Sequence, residues 1–397
     1  FVTMSLGETM WSFGVFFKPL ESEFGWSRRL VSSGYTAFLI AYSISSIVAG
    51  RMADRYGPRK ILMTSGILAG LGISLCSRLT GVNEFRAFLF LAGLGAGATW
   101  SVPVSTVQRW FFGRSRAGLA LSIVVAGVGV GALIFAPLIN YLILNYGWRN
   151  AYLLIGVLFF LLITPSSLII RRSPPDADSA GSPGIESQQD ESLDPISPGF
   201  LARPAVPDLP VSKVLIHPSY LILIFAACVT VFVFQLLSVH FVPYATDLGH
   251  TSSVAAVAVG LMGALSVPGR LLGGAVSDRI GWKKTLTFSL FGITAAALWL
   301  LFTRAQWSLY SFAVIYGLFW GIRSTSLFGT LGEFFGVRSL GELVGITSAT
   351  ANILGAFVPY LAGYIFDTVG SYSGIFVTMA VLMLCTSLLT TTLKKPG

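Results

Sequence analysis

The chain reads as an all-α membrane protein of twelve transmembrane helices in two pseudo-symmetric six-helix halves, and three observations predict this. Of its 397 residues 54% are apolar and 11% charged, with a mean hydropathy of +0.76, whereas soluble domains carry about 25% charged residues. Apolar stretches near the roughly 20 residues that a spanning helix needs recur twelve times. Finally, Gly50-Arg-Met-Ala-Asp54-Arg55-Tyr-Gly57-Pro-Arg59-Lys60 returns 224 residues later as Gly274-Ala-Val-Ser-Asp278-Arg279-Ile-Gly281-Trp-Lys283-Lys284. Phe17-x-Pro19-x5-Gly25 pairs with Phe241-x-Pro243-x5-Gly249 at the same offset, so the register holds unbroken over residues 17–60. Sequential halves of this kind enclose a central substrate site, and rocking one half against the other gives alternating access.

In order, the predicted segments are about residues 1–19, 31–53, 61–79, 86–111, 117–145, 149–170, 216–246, 253–276, 284–303, 307–334, 339–366 and 372–393, each close to a bilayer's length. The first begins inside an apolar run without an initiator Met, so the chain is expected to lack its cytoplasmic beginning, and this segment is not read as a cleaved signal. Segments 1–6 form one half, residues 1–170, and segments 7–12 the other, residues 214–397. Residues 171–213 between them hold eight of the 18 prolines and seven of the 17 acids. That composition buries too little surface to fold alone, and predicts a flexible cytoplasmic linker. With the linker and both termini inside, loops 2-3, 4-5, 8-9 and 10-11 are inside too. Counting Lys and Arg, 17 then fall inside, seven outside and two within helices, the sign that the positive-inside rule demands. A multi-pass protein of the inner cell membrane is expected, working as a monomer in the lipid bilayer. The net charge of +9 reports topology; its scatter over short loops argues against nucleic acid. Cys76, Cys228 and Cys385 lie in separate apolar segments, as small core groups, with no metal-binding spacing. No phosphate-binding loop, HExxH or Ser/His/Asp set is present, so neither an enzyme nor a cofactor is expected.

The twin pattern G-x3-D-R-x-G-x-R/K-K in loops 2-3 and 8-9 resembles the signature of the major facilitator superfamily. The resemblance covers essentially the whole chain apart from the linker, and implies that fold and an inner-gate latch at Gly50, Asp54, Arg55, Gly57 and Arg59, with Gly274, Asp278, Arg279 and Gly281 in the second copy. The alternative reading of the basic residues is plain topology charge. Gly127-x-Gly129-x-Gly131-x5-Pro137 in segment 5 is a degenerate form of the family's antiport motif, with Ala136 before the proline; it is read as helix packing. Val15-Phe16-Phe17-Lys18 and a single Arg270 in segment 8 look like the monocarboxylate transporters and the oxalate/formate exchangers. Two departures stand out: Ser266 lies four residues before Arg270 where animal monocarboxylate transporters have Asp, and segment 1 has Trp11 in place of an internal Lys. The exchangers' Lys in segment 11 is also missing; Asn352 stands there.

A charge at bilayer depth costs from about 2.5 to more than 10 kcal/mol, so intramembrane ionisable groups are rare and face cavities. Arg270 has a small-residue face of Gly263, Ser266, Gly273, Gly274 and Ser277, which is expected to leave room for a ligand, and a guanidinium fork fits a carboxylate bidentately. The alternative is a structural Arg satisfied by a helix end or an acid. Arg323 in segment 10 is flanked by Tyr316, Phe319 and Trp320, and is read as a second anion ligand or an acid's partner. Glu8, the one carboxylate well inside a segment, is the candidate proton carrier, a permanent ion pair being the alternative. His240 is read as a hydrogen-bonded structural residue, Asn352 and Gln235 as orienting groups, and Glu333 and Glu342 as partners of Arg338. Together Arg270, Arg323, Ser266, Asn352, Tyr316 and Trp320 with Glu8 predict symport of a small monocarboxylate such as lactate or pyruvate with a proton. An exchanger of the oxalate/formate type, another carrier, or a sensor on the same scaffold are the alternatives.

Overall fold

The computed structural model describes residues 2–110, 117–170, 211–336 and 340–396, apart from the side chains of residues 6, 8, 54, 108, 109, 117–119, 121, 122, 340 and 341. Every regular element in it is a helix. The first half comprises α1 (Val2–Phe24), α2 (Arg28–Tyr56), α3 (Pro58–Leu75), α4 (Val82–Ala96), α5 (Ala98–Trp110) and α6 (Ala117–Ile169). The second comprises the short α7 (Val211–Leu215), α8 (Pro218–Asp247), α9 (Ser252–Ile280), α10 (Trp282–Leu301), α11 (Gln306–Phe335), α12 (Leu340–Gly355), α13 (Val358–Val369) and α14 (Ser373–Thr391). Nine stretches among the described residues are long and apolar enough to cross a membrane. One of these, Ile123–Ile169, holds two spans because α6 breaks at Gly147, whose φ of 79° leaves the helical region. Polar side chains lower the hydropathy of α1 and α11, which complete the twelve. Consecutive helices α4–α5 and α12–α13 each make one bent span. Residues 171–210 of the expected linker lie outside the described residues, and α7 occupies its last three positions.

The repeat is written into the backbone as well as the sequence. Gly57, which joins α2 to α3, has φ 88° and ψ 150°, and Gly281, which joins α9 to α10, has φ 89° and ψ 155°. An L side chain disfavours positive φ, so each copy keeps Gly where the chain turns between two spans. Helix pairing repeats too: α2 on α4, α3 on α4 and α1 and α3 on α6 in the first half correspond to α9 on α11, α10 on α11, α8 on α12 and α10 on α14 in the second. Large apolar side chains such as Leu144, Leu271, Phe302, Leu361 and Val381 cover the outside, the reverse of a soluble surface and suited to acyl chains.

Between the halves, α1 packs on α8, α2 on α13 and α6 on α9. Small residues bring these backbones together: a Cβ on Gly14 would lie 2.9 Å from the Val239 carbonyl oxygen, and one on Gly129 would lie 2.5 Å from that of Gly263. The Gly127-x-Gly129-x-Gly131 run is packing, as the sequence reading has it. Gly127 and Gly131 admit Thr3 and Met4 of α1, while Gly129, on the opposite face, admits α9.

Candidate functional site

Two features occupy the seam between the halves: an aromatic and guanidinium cluster near mid-depth, and an ionic latch at one end. The latch end is where α1 gives way to α2 and α8 to α9; the motif end carries the Gly57 and Gly281 turns.

At mid-depth, Trp11 of α1 meets Phe234 of α8 edge-on at 4.9 Å between ring centroids and approaches Tyr316 of α11 at 6.5 Å. Phe234 stacks on Trp320 at 5.0 Å, and Tyr316 stacks on Trp320 at 6.0 Å. A 3.6-residue period puts Tyr316, Trp320, Arg323 and Leu327 on one stripe of α11, and all four are buried. The Arg323 guanidinium sits 5.2 Å from the Trp320 ring centroid, a cation-π distance. Arg323 is 6% exposed, its Nε has no hydrogen-bond partner, and no ion pair involves it among the described residues. The Tyr316 hydroxyl, Ser12 Oγ and Gln235 Oε1 are also buried without partners. Buried polar atoms are nearly always satisfied, so the unpartnered Arg323 Nε and Tyr316 hydroxyl beside Trp320 mark a candidate place for a polar ligand, whereas Ser12 lines a cavity inside the first half and Gln235 lies against Gly355 of α12.

Arg270 of α9 reaches the same helix from the other side. Its Nε donates to Ser324 Oγ at 3.3 Å, and its Nη1 donates across the seam to the Val125 carbonyl of α6 at 3.0 Å. Arg270 is thus partly satisfied, whereas Arg323 is bare. Part of the small-residue face of α9 is filled by neighbouring helices, while the position of Gly274 stays open. A Cβ on Gly273 would meet Thr325 and Ile322 of α11, and Gly263 abuts Ala132 of α6. Ser266 is buried against α6 and α11 and its hydroxyl donates to its own helix at Gly263. The small residues serve close helix approach, which carries the same signature as a ligand niche. Asn352 is half-buried on α12; Gly355, one turn on, packs against Val231 and Gln235 of α8. The Glu8 side chain lies outside the description. Glu333 pairs with Lys395 at 3.1 Å, and Arg338 lies outside the described residues.

At the latch end, Lys18 and Arg28 of the first half converge on Asp247 of the second. Lys18 Nζ lies 2.7 Å from Asp247 Oδ1 and Arg28 Nη1 2.7 Å from Oδ2. Glu21 accepts from Arg28 Nε at 3.0 Å. The backbone N–H groups of Arg28 and Arg29, the start of α2, donate to Asp367 Oδ1 and Oδ2 of α13, both at 2.9 Å. One half therefore caps a helix of the other, where the helix dipole favours an anion. The Arg28 guanidinium also stacks 3.7 Å from the Phe366 ring centroid. Asn140 of α6 donates to Ser253 of α9 at 2.9 Å at the same end. Apart from Arg270 on Val125, every described hydrogen bond or ion pair joining the halves lies toward this end. At the motif end Arg55, Arg59, Asp278 and Arg279 are exposed, and no ion pair involves them among the described residues. A Cβ on Gly50 or Gly274 would have nothing within 4 Å. Asp54's side chain, the expected latch residue, lies outside the description. Among the described residues the halves are tied at the Arg28 end, and no hydrogen bond or ion pair joins them at the motif end.

Missed by sequence reasoning were Trp11 and Phe234 as walls of the cluster and the whole Arg28, Asp247 and Asp367 latch. The shared register of Phe17 and Pro19 with Phe241 and Pro243 was a signal, since it places Lys18 and Asp247 at matching ends of two spans.

Comparison with known proteins follows the same lines. The model of the Major Facilitator Superfamily matches residues 1–359. The chain is 27% identical over 383 residues to monocarboxylate transporter 13 of Rattus norvegicus, spanning 95% of this chain and 82% of that one. It is 26% identical over 386 residues to monocarboxylate transporter 11 of Homo sapiens, 94% of this chain and 76% of the other. The oxalate:formate antiporter of Oxalobacter formigenes is 27% identical over 352 residues, 87% of this chain and 78% of that protein. In fold, the chain superposes on the crystal structure of a D-xylose-proton symporter with a TM-score of 0.71 at 14% identity, covering 100% of this chain and 96% of that chain.

Proposed function

Since the chain belongs to the major facilitator superfamily, we propose that it moves small monocarboxylates of the lactate and pyruvate type together with protons by alternating access. It is a carrier rather than an enzyme in this reading, working as a monomer in the inner cell membrane with the motif end and both termini in the cytoplasm. The basic loops support that orientation, and with it the structure is inward-facing, its latch closed to the outside.

The observation that carries the reading is a buried guanidinium that has no acid partner among the described residues. Arg323, bare among Tyr316, Trp320 and Phe234 at the seam, offers charge for a carboxylate and apolar walls for a methyl end. Arg270 approaches from the adjacent face of α11 and can exchange its Ser324 or Val125 bond for a ligand oxygen. A short anion and a proton together make the cycle electroneutral, and Glu8 on α1 is the proposed proton site. The Asp54 and Asp278 loops are proposed to close the motif end in the opposite state. Uptake of labelled lactate into proteoliposomes under an inward proton gradient tests the proposal; uptake insensitive to that gradient would reject symport.

The bareness of Arg323 also favours a second reading. Two guanidinium groups, Arg323 on α11 and Arg270 of α9 bonded to Ser324 of α11, can hold two carboxylates, and the relatives include a protein named as an oxalate:formate antiporter. If oxalate competes as strongly as lactate, and Arg323→Gln removes that competition alone, exchange of a dicarboxylate replaces the first reading.

A further inference from the structure

His240 lies at the junction of the halves directly beneath the latch, fully buried. Its Nε2 is 2.9 Å from the Pro359 carbonyl and its Nδ1 2.8 Å from the Tyr372 hydroxyl. A carbonyl only accepts, so Nε2 carries the hydrogen of the neutral ring and Nδ1 accepts from Tyr372. Tyr372 has a second face. It lines a cavity of about 320 Å3 at the latch end, together with Arg28, Asp247, Arg304, Phe366 and Phe376. The Arg28 guanidinium lies 5.2 Å from the centroid of the Tyr372 ring, and the His240 ring lies 5.3 Å from it. One phenol thus stands between a buried imidazole, the principal cation of the latch and a cavity wide enough for water.

We propose that His240 is the pH sensor of the latch, loaded from this cavity through Tyr372 and releasing the Arg28 end when protonated. The Tyr372 hydroxyl passes its proton to Nδ1 and takes another from a hydronium ion in the cavity, which becomes water, so the net change is one proton gained by the ring. Nδ1 then donates where it accepted, Tyr372 turns its own hydrogen toward the cavity, and a second cation stands across the phenol ring from Arg28. The groups facing this site are Phe17 of α1, with Lys18 and Glu21 at that helix's end; Ser32 of α2, whose Oγ is 3.4 Å from Nε2, with Arg28; Asp247 on α8 itself; Asp367 of α13; and Arg304 across the cavity. Of these charges, Glu21, Asp247 and Lys18 are already engaged with one another and with Arg28, and Asp367 is bonded to the α2 backbone. Asp367 keeps its negative charge while bonded to neutral N–H groups and offsets part of an imidazolium's charge, and Arg28, which faces the same phenol ring, takes the remaining repulsion.

The inference rests on the alternating access of the preceding reading, though not on which acid is carried. It is tested without transport. Spin labels at Ser22→Cys and Gly374→Cys, on opposite halves at the latch end, are placed in the full-length protein with its three native cysteines replaced. Distances are then measured in lipid nanodiscs without substrate between pH 8 and pH 5. The separated population should rise at least threefold on acidification, along a one-proton curve. His240→Gln, whose amide can keep both hydrogen bonds, should stay latched throughout. Tyr372→Phe, which keeps the ring and removes both the relay and the hydrogen bond to Nδ1, should displace the midpoint through loss of that bond and serves as the decisive variant if His240→Gln does not fold. A flat response in the parent, a parent-like curve in His240→Gln, or an unmoved midpoint in Tyr372→Phe overturns the sensor. A protein that opens with acid yet takes up no lactate would instead sink the transport reading alone.

Discussion

Two arginines inside a membrane helix bundle pose an energetic question before a functional one. Leaving Arg323 buried without a partner costs from about 2.5 to more than 10 kcal/mol by general measures of charge at bilayer depth, and cation-π contact with Trp320 returns only about 0.5–2 kcal/mol. A residue kept for stability alone would not be Arg. Arg323→Gln is therefore expected to leave thermal stability equal or raised while weakening lactate binding roughly 10- to 100-fold, the worth of about 1.5–3 kcal/mol for charge-assisted hydrogen bonds. Calorimetry and equilibrium binding on one preparation separate these effects; a fall in stability with unchanged binding would make Arg323 structural. Arg270, already bonded to Ser324 and Val125, should respond differently, since Lys there keeps charge but cannot span both partners. For Glu8 the expectation comes from sequence alone: Glu8→Gln should abolish accumulation driven by a proton gradient yet spare substrate exchange. Retained accumulation would move the proton elsewhere.

Among the helices, glycine plays two unlike parts that the sequence prints with one letter. Gly131 faces α1 so closely that a Cβ would sit 2.0 Å from the Met4 carbonyl oxygen, a backbone atom that cannot swing aside. Gly131→Val should cost at least about 1–3 kcal/mol through overpacking, seen as a lowered melting temperature and poor yield. Gly50, in the twin motif, has nothing within 4 Å of its missing Cβ. Gly50→Ala should therefore leave stability equal or raise it by up to about 1 kcal/mol through helix propensity. If that variant melts like the parent but transports poorly, the glycine is needed in the state where the motif end closes. Equal transport would reduce Gly50 to a helix residue of no special use.

For the whole molecule, the distribution of polar contacts across the seam defines the state. The ion pairs and the α2 cap hold the Arg28 end, while the motif end carries its charges in the open. Asp367→Asn removes the charge from a two-donor helix cap. Because Asp367 is exposed, its contribution is set near that of surface electrostatics, about 1 kcal/mol, which corresponds to a roughly five-fold shift of the latched-to-open ratio. Labelling of a single cysteine placed at Ser32, beneath the latch, should accelerate by about that factor, and high salt should bring the parent toward the variant. Unchanged labelling would show that α1 on α8 and α2 on α13 hold the end shut by packing alone.

The sequence by itself determined the two-half helical architecture, the twin turns at Gly57 and Gly281, the family, and the buried arginines. These are legible because lipid imposes one rule on every span, that apolar residues face outward and backbone groups bond within the helix, and because duplication prints the register twice. The bend between α12 and α13 and the start of α7 inside the expected linker were less legible: Gly355 and Pro359 mark the first and Pro207 and Pro210 the second, but each sits inside a longer segment or linker that reads as one piece. What only the tertiary structure decided was partnership. Glycine and serine around Arg270 read equally as a ligand niche or a packing face until α6 and α11 were seen to fill part of that face. Trp11, Phe234, Trp320 and Arg323 become one site, and Arg28, Asp247 and Asp367 one latch, through a seam that joins positions 219 to 339 residues apart in the latch. A single chain's periodicity records which face of a helix is buried; it does not record which distant helix buries it.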